Sequence, residues 1–132
     1  MNEVRKMIVH AARSEVGRIK YCSYRGPLQE QSPVQGLRCD NFVIHVYRQA
    51  GISVPDFGCW ELYGHLPAIS EPLPGDLVFR NGRQDGKPGH VGIYAGGSAI
   101  HLPKSAGTVV ETGIEWFDPL MGFRSVKDFI GV

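Results

Sequence analysis

The sequence predicts an α+β fold in which N-terminal helices pack on an antiparallel sheet. Two helical patterns come first and a series of short strands follows, an order that is typical of this class. Seventeen glycines and nine prolines in 132 residues indicate many turns and argue against a helical bundle. An apolar fraction of 42% at this length is enough to bury a core, so residues 1–132 are expected to form a single domain.

Two helices are predicted in the first half of the chain. Residues 2 to 16 form the first helix, because its apolar residues recur near one face and Gly17 can end it. These apolar residues are Val4, Met7, Ile8, Ala11 and Val16. Residues 20 to 38 are predicted to be a loop, and Cys39 then opens a second helix that ends at Gly51. The buried stripe of the second helix would be Phe42, Val43, Val46, Tyr47 and Ala50.

Short strands are predicted after a Pro-rich connection over residues 52 to 76. Four segments have the pattern of strands, at residues 77–79, 91–95, 98–102 and 108–112. Gly96-Gly97 separates the middle two and is a strong signal for a two-residue hairpin turn. Because the strands follow one another after the helices, the sheet is expected to be antiparallel.

Charge and cysteine content exclude several classes of function. The 14 basic and 13 acidic residues leave a net charge of +1, which removes the simplest argument for binding nucleic acid or an anionic membrane. No apolar run approaches the ~18 residues that a membrane span needs. Three cysteines cannot form a complete set of intramolecular disulfides, and there is no CxxC pair or zinc-finger spacing. We therefore expect neither a metal nor another cofactor.

Cys39 is the candidate nucleophile because it lies where a loop ends and a helix begins. Asp40 and Asn41 could cap that helix. The helix dipole would then lower the pKa of the thiol and favour the reactive thiolate. The alternative interpretation is that Cys39 is a small buried residue, as many free cysteines are.

His90 and His101 are the candidate partners of this thiol. A two-residue turn at Gly96-Gly97 places Gly92 opposite His101, and His90 then lies on the same face, about 7–8 Å from His101 at the backbone. One imidazole could deprotonate Cys39 while the other fixes its tautomer. His90, at the start of its strand, is the expected base and His101 the orienting residue. The alternative is a pair of hydrogen-bonded core histidines.

The order of these segments resembles the NlpC-type cysteine peptidases of bacterial cell walls, over residues 5 to 112. The resemblance is carried by Gly17 and Tyr21, the helix that Cys39 opens, YRQAGISVP at 47–55, PGDLVF at 74–79, GHVGIY at 89–94 and Ile100-His101. It implies a papain-like fold and cleavage of peptidoglycan stem peptides through a thioester, typically at the γ-D-glutamyl–diamino acid bond. It also implies Cys39 as nucleophile, His90 as base, His101 as the third polar member, and Tyr21 beside the nucleophile.

The residues around Cys39 depart from the pattern of that family. The family typically has Asp-Cys-Ser-Gly, in which the acid helps to hold a free amine of the substrate, whereas this chain has Arg38-Cys39-Asp40-Asn41. Arg38 is therefore expected to disfavour a substrate ammonium group and to favour a carboxylate or an acylated amine. Asp40 could replace the missing acid, but we expect it to point elsewhere along the helix start and to oppose the lowering of the thiol pKa.

Other residues are expected at the edge of the site. The backbone N–H of Cys39 and the hydroxyl of Tyr21 are candidate donors to an oxyanion. The aromatic residues Trp60, Tyr63 and Trp116 are candidate walls of a substrate groove. Cys22 and Cys59 are interpreted as bystanders.

Two further functions are open on the same residues. A thiol acyltransferase, amidase or isopeptidase would use the same thioester with a different amide or acceptor, whereas a catalytically silent binding module would not need the three polar residues. Residues 1 to 17 lack the continuous apolar core of a secretory signal. We therefore expect a phage-encoded wall enzyme, an exported toxin, a domain cut from a longer protein, or a protein that stays in the cytoplasm.

Overall fold

The structure, a computed structural model, describes residues 2–23, 36–82 and 86–131. The helices are α1 (Glu3–Arg13), α2 (Cys39–Gln49), α3 (Cys59–His65) and α4 (Lys127–Ile130). The strands are β1 (Ala68–Ile69), β2 (Leu77–Asn81), β3 (Pro88–Tyr94), β4 (Ser98–His101), β5 (Val110–Gly113) and β6 (Leu120–Arg124), with a 3-10 helix (Ile114–Phe117) before β6. The predicted α+β class is confirmed. Residues 24–35 of the predicted loop lie outside the described residues.

One six-stranded sheet organises these elements. Its order is β1-β6-β2-β3-β4-β5, and each neighbouring pair is antiparallel, as predicted. The helices α1, α2 and α3 all pack against β3 and enclose the main core, to which Leu77 and Phe79 of β2 belong. Successive residues of a strand face opposite ways, so Val78 joins Ala99 and Phe117 in a smaller cluster on the other face.

The first helix buries a different face from the predicted one. Its buried residues are Arg5, Ile8, Val9 and Ala12. Met7 and Val16, which the pattern assigns to the core, are 48% and 41% exposed, so this part of the prediction is wrong. The helix also ends at Arg13 rather than at residue 16. The buried face of α1 is rotated relative to the predicted one because it includes Arg5. Hydrophobic periodicity assigns an arginine to the surface and therefore does not predict this burial.

Arg5 is buried because Asp76 receives it. The Nη1 atom of Arg5 donates to Oδ1 of Asp76 at 2.9 Å, and the two side chains are 3% and 1% exposed. The same carboxylate accepts hydrogen bonds from the backbone N–H groups of Leu73 and Val126. A buried carboxylate needs such partners. The aspartate of the PGDLVF segment is therefore structural, and it ties α1 and the C-terminal segment to the start of β2.

The sequence predictions miss α3, β1, the 3-10 helix, β6 and α4. Residues 52–76 hold α3 and β1, whereas an uninterrupted connection was predicted. The side chain of Glu61 caps α3 by accepting the backbone N–H of Gly58 at 3.0 Å. This helix has seven residues and buries only Leu62, so it gives almost no periodic signal. None of the helices in the described ranges is long and apolar enough to cross a membrane.

Candidate active site

The second helix places Cys39 at its first residue, as predicted. Arg38 is the N-cap, and its carbonyl oxygen accepts the first helical hydrogen bond, from the backbone N–H of Phe42 at 2.9 Å. The prediction that Asp40 or Asn41 caps the helix is wrong, because both are buried within its first turn. Asp40 Oδ1 instead accepts the backbone N–H of its neighbour Asn41 at 2.8 Å.

Two backbone groups lie near the thiol of Cys39. They are the N–H groups of Val91 and Asp40, and both favour a thiolate. Burial of the sulfur and the charge of the Asp40 carboxylate oppose them and raise the pKa of Cys39 to about 12. The predicted lowering of this pKa is therefore wrong, because desolvation outweighs the helix terminus. At neutral pH the group is a neutral thiol.

The thiol reaches β3 at the point where β4 ends. Pairing between β3 and β4 runs from Tyr94 and Ala99 to Gly92 and His101. Val91 lies beyond this last pair, and its backbone N–H is near the Cys39 sulfur. The thiol is therefore near the backbone of β3 beyond the end of β4, and His90 is the residue that precedes Val91 in this strand.

The two histidines lie side by side. The pairing of Gly92 with His101 confirms the predicted register, and Nε2 of His90 lies 2.8 Å from Nδ1 of His101. Position 92, opposite His101, requires a glycine, because a Cβ there would lie 2.8 Å from Cζ of Phe117 and 2.9 Å from the Cβ of His101. His90 is 9% exposed and His101 is fully buried. Burial lowers the pKa of both imidazoles, so both are neutral at neutral pH.

Aromatic rings enclose the histidine pair. The ring centroid of Trp116 lies 5.0 Å from that of His90 and 4.5 Å from that of His101, and Phe117 also contacts both imidazoles. The guanidinium of Arg80 lies 5.4 Å from the Trp116 ring, and its charge adds to the lowering of the His90 pKa. Trp116, a predicted groove residue, is thus packed on the histidines and does not line the cleft among the residues described.

A cleft of about 450 Å³ opens beside the thiol. Its described lining residues are Tyr21, Arg38, Cys39, Asp40, Gly58, Cys59, Trp60, Glu61, Pro88 and Gly89. Four of the predicted site residues, Tyr21, Arg38, Asp40 and Trp60, therefore surround the predicted nucleophile. Burial and the proximity of Cys39 raise the pKa of Tyr21, so its hydroxyl keeps its proton and can donate a hydrogen bond. In the described part of the chain, no group of three His, Cys, Asp or Glu residues could hold a metal ion.

Arg38 and Asp40 form an ion pair in the wall of this cleft. The Nε atom of Arg38 donates to Oδ1 of Asp40 at 2.9 Å, and the two side chains are 18% and 11% exposed. The prediction that Asp40 points elsewhere along the helix start is therefore wrong. Its carboxylate compensates part of the Arg38 charge, and Glu61 adds a second carboxylate to the lining. The cleft presents both signs of charge.

Trp60 forms a fixed, exposed surface at the rim. Trp60 is 54% exposed, yet its Nε1–H donates to the carbonyl oxygen of Pro88 at 3.1 Å. The ammonium group of Lys87 lies 4.2 Å from the indole centroid. Tyr63, in contrast, packs against Phe79 and carries the guanidinium of Arg124 at 3.7 Å from its ring. Tyr63 therefore stabilises the fold and is not part of the cleft lining described.

Sequence reasoning missed three residues of this region. Cys59 and Glu61 line the cleft because α3 begins there, and α3 has no clear sequence signal. Burial, together with the proximity of Cys39 and Asp40, raises the pKa of the Cys59 thiol. Thr112 places its Oγ1 atom 2.9 Å from Nε2 of His101. The β3–β4 hairpin alone does not place Thr112 near His101. That prediction also needs the pairing of Ala99 with Thr112 between β4 and β5.

A neutral thiol in a cleft and a linked pair of neutral imidazoles are the groups that nucleophilic attack with general-base assistance requires. The base takes the thiol proton as the sulfur attacks, so no thiolate need exist beforehand. An amide carbonyl bound in the cleft would be the electrophile. The roles of Cys39, His90 and His101 in such a reaction remain predictions.

Comparison with a family model supports the resemblance found in the sequence. The model of the NlpC/P60 family matches residues 20–116. This range includes the thiol of Cys39, both histidines and the cleft residues described above. A search of curated protein sequences found no match.

Solved structures share the fold. The NlpC/p60 domain of the peptidoglycan hydrolase SagA is 25% identical, with a TM-score of 0.72 over 96% of this chain and 100% of that chain. An NLP/P60-family protein from Staphylococcus aureus, described as similar to a lipoprotein, is 27% identical, with a TM-score of 0.73 over 96% of this chain and 42% of that chain. RipD from Mycobacterium tuberculosis, described as non-catalytic and adapted to peptidoglycan binding, is 14% identical, with a TM-score of 0.71 over 96% and 99% of the two chains. This last likeness is one of fold alone.

Proposed function

This chain belongs to the NlpC/P60 family, and we propose that it is a papain-like cysteine endopeptidase that hydrolyses the stem peptides of peptidoglycan. One observation carries the proposal: the imidazoles of His90 and His101 are linked at 2.8 Å, and the sulfur of Cys39, in the wall of an open cleft, lies near the backbone of Val91, the residue after His90. A nucleophile, a base and an orienting group are the parts that thiol hydrolysis needs. The similarity to the domain of the peptidoglycan hydrolase SagA supports the substrate class.

The proposed reaction proceeds through a thioester. The Cys39 sulfur bonds to the carbonyl carbon of the scissile amide while its proton passes to Nδ1 of His90. The imidazolium gives that proton to the leaving nitrogen, the C–N bond breaks, and a thioester and a free amine remain. Water then attacks the thioester with His90 as base, which releases a carboxylic acid and regenerates the thiol.

The tetrahedral intermediate needs fixed hydrogen-bond donors for its oxyanion. We assign one to the backbone N–H of Cys39, because the first N–H groups of a helix have no partner within it. The second is the Tyr21 hydroxyl, which lines the cleft and whose raised pKa keeps it protonated. Both donors are near the sulfur, where the oxyanion would form.

The bond that we propose is the one between γ-D-glutamate and the diamino acid, which the resemblance implies. Stem peptides carry ammonium and carboxylate groups close together. The cleft offers groups of both signs, the guanidinium of Arg38 and the carboxylates of Asp40 and Glu61. Charge complementarity of this kind gives specificity more than affinity. The place of action would be the cell wall.

Digestion of purified peptidoglycan and of isolated stem peptides tests this function. We expect mass spectrometry to show one new amine, on the diamino acid, for each γ-D-glutamyl bond cleaved. The Cys39→Ala variant, incubated in parallel, should release nothing. Binding of peptidoglycan by the wild type without any cleavage would identify a binding module. Transfer of the acyl group to an added amine, with little hydrolysis, would identify an acyltransferase.

Opposite substitutions of the Arg38–Asp40 pair should change substrate preference in opposite directions. Asp40→Asn removes the carboxylate that compensates Arg38, so it should favour stems whose amine is acylated, as in intact murein. Arg38→Gln leaves the carboxylates of Asp40 and Glu61, so it should favour free stem peptides with an ammonium group. A partly exposed charge contact is worth about 1 kcal/mol, which is roughly a fivefold change in the ratio of kcat/KM values.

The measured quantity is this ratio for two substrates, because changes in the reactivity of the thiol then cancel. Arg48→Gln is the matched control, since it breaks a similar 3.0 Å ion pair, to Asp56, outside the described cleft lining. Its ratio should equal that of the wild type. Ratios that move in the same direction for Asp40→Asn and Arg38→Gln would exclude recognition by charge at this pair.

A further inference from the structure

We propose that Thr112 fixes the tautomers of both histidines and is thus a positioning residue of this site; its kinetic part rests on the proposed function. Thr112 lies on β5, opposite Ala99 of β4. Its side chain is half-buried, and its Oγ1 atom is 2.9 Å from Nε2 of His101. The hydroxyl is therefore in direct contact with the imidazole on the side that faces away from His90.

The direction of this hydrogen bond follows from the second partner of the hydroxyl. Oγ1 of Thr112 lies 3.1 Å from the carbonyl oxygen of Gly113, which can only accept, so the single hydroxyl hydrogen is donated there. The oxygen must then accept from His101. His101 accordingly carries its hydrogen on Nε2, and its Nδ1 atom has a lone pair.

The same constraint passes to His90. Its Nε2 atom lies 2.8 Å from Nδ1 of His101, which is an acceptor, so Nε2 of His90 must be the donor. A neutral imidazole has only one N–H group. Nδ1 of His90 is therefore unprotonated, which is the form that a base needs to take the proton of Cys39. In the reverse direction, His90 would present an N–H to the sulfur and could not act.

Burial leaves the histidines few other partners. His101 is fully buried, and Trp116 packs edge-to-face against its ring with a centroid distance of 4.5 Å. Hydrogen bonds in such surroundings are stronger than in water, and an unpaired N–H is correspondingly costly. Both imidazoles are neutral because burial lowers their pKa values. The orientation of one hydroxyl on β5 can therefore determine the state of a base on β3.

Replacing Thr112 with valine tests the role of the hydroxyl, because valine keeps the branched shape. We expect Thr112→Val to lower kcat roughly 10- to 100-fold, as loss of comparable supporting groups does, with little change in KM. Thr112→Ser restores the hydroxyl and should restore most of kcat. Thr108→Val is the control, since the Thr108 hydroxyl also donates to a carbonyl oxygen, that of Ile19 at 3.0 Å, outside this network.

Nitrogen-15 NMR of the imidazoles gives a readout that does not depend on substrate. In the wild type at neutral pH, we expect hydrogen on Nε2 of both His90 and His101, and in folded Thr112→Val a mixture of tautomers. A wild type with hydrogen on Nδ1 of either histidine, or a Thr112→Val variant with full kcat, would overturn the inference. The expected tautomers in a protein that cleaves no stem peptide would support the assignment and overturn the proposed function instead.

Discussion

Replacing Cys39 with alanine should abolish hydrolysis of stem peptides, with a loss in kcat of at least about 10⁴-fold. Without the sulfur no thioester can form, and water would have to attack the amide directly. The sulfur of Cys39 lies near the backbone N–H of Val91, the residue that follows the proposed base His90. Product release from stem peptides by the wild type and the variant, at equal concentrations of folded protein, measures the loss.

The cysteine controls decide whether this loss is specific. Cys59 is the more stringent control, because it lines the same cleft as Cys39. Cys22 is the second control cysteine. Both Cys22→Ala and Cys59→Ala should retain kcat within a few-fold of the wild type. An inactive Cys59→Ala together with an active Cys39→Ala would transfer the role of nucleophile to Cys59.

The pKa of Cys39 shapes how the reaction can begin. The thiol carries its proton at neutral pH, because burial and Asp40 raise that pKa to about 12. The proposed base, His90, is also neutral, so it could accept the thiol proton as the sulfur attacks. The proposed reaction would therefore depend on the bound substrate, because the sulfur loses its proton only as it attacks.

Local signals account for the parts of the fold that the sequence predicts well. Gly96 and Gly97 have φ values of 92° and 118°, which a two-residue hairpin of this kind requires and glycine adopts freely. They set the register that brings Gly92 opposite His101. The apolar stripe of α2 is likewise a local pattern, and all five of its predicted residues are buried.

The failures come from contacts between distant residues. The buried face of α1 is set by Arg5 and Asp76, which are 71 residues apart in the chain. Hydrophobic periodicity treats an arginine as a surface residue and cannot anticipate a partner for it. The capped helix α3 is missed for the opposite reason, since its seven residues are too few for a period to emerge.

The same distinction applies to the candidate site. The sequence indicates which side chains carry chemistry, because Cys39, His90 and His101 stand in recognisable segments. It does not indicate their electrostatics, since the pKa of the thiol depends on desolvation by the surrounding fold. Nor does it show that Asp40 pairs with Arg38, or that Thr112 reaches His101 from another strand.

The two histidines should differ in their effect on kcat. His90→Ala removes the proposed base and should lower kcat about 10³- to 10⁴-fold, within the range that general-base catalysis contributes. His101→Ala removes only the group that orients the base, so we expect a smaller loss and measurable residual activity. His10→Ala, on the exposed side of α1, is the control and should leave kcat unchanged.

A further substitution, His101→Gln, tests the orienting role directly. The amide oxygen of glutamine can accept the hydrogen bond that Nε2–H of His90 donates to Nδ1 of His101 across 2.8 Å. We therefore expect His101→Gln to be more active than His101→Ala, since it keeps the acceptor although not the ring. Equal losses for His90→Ala and His101→Ala would mean that the pair acts as one unit. A larger loss for His101→Ala would make His101 the base and His90 the residue that orients it.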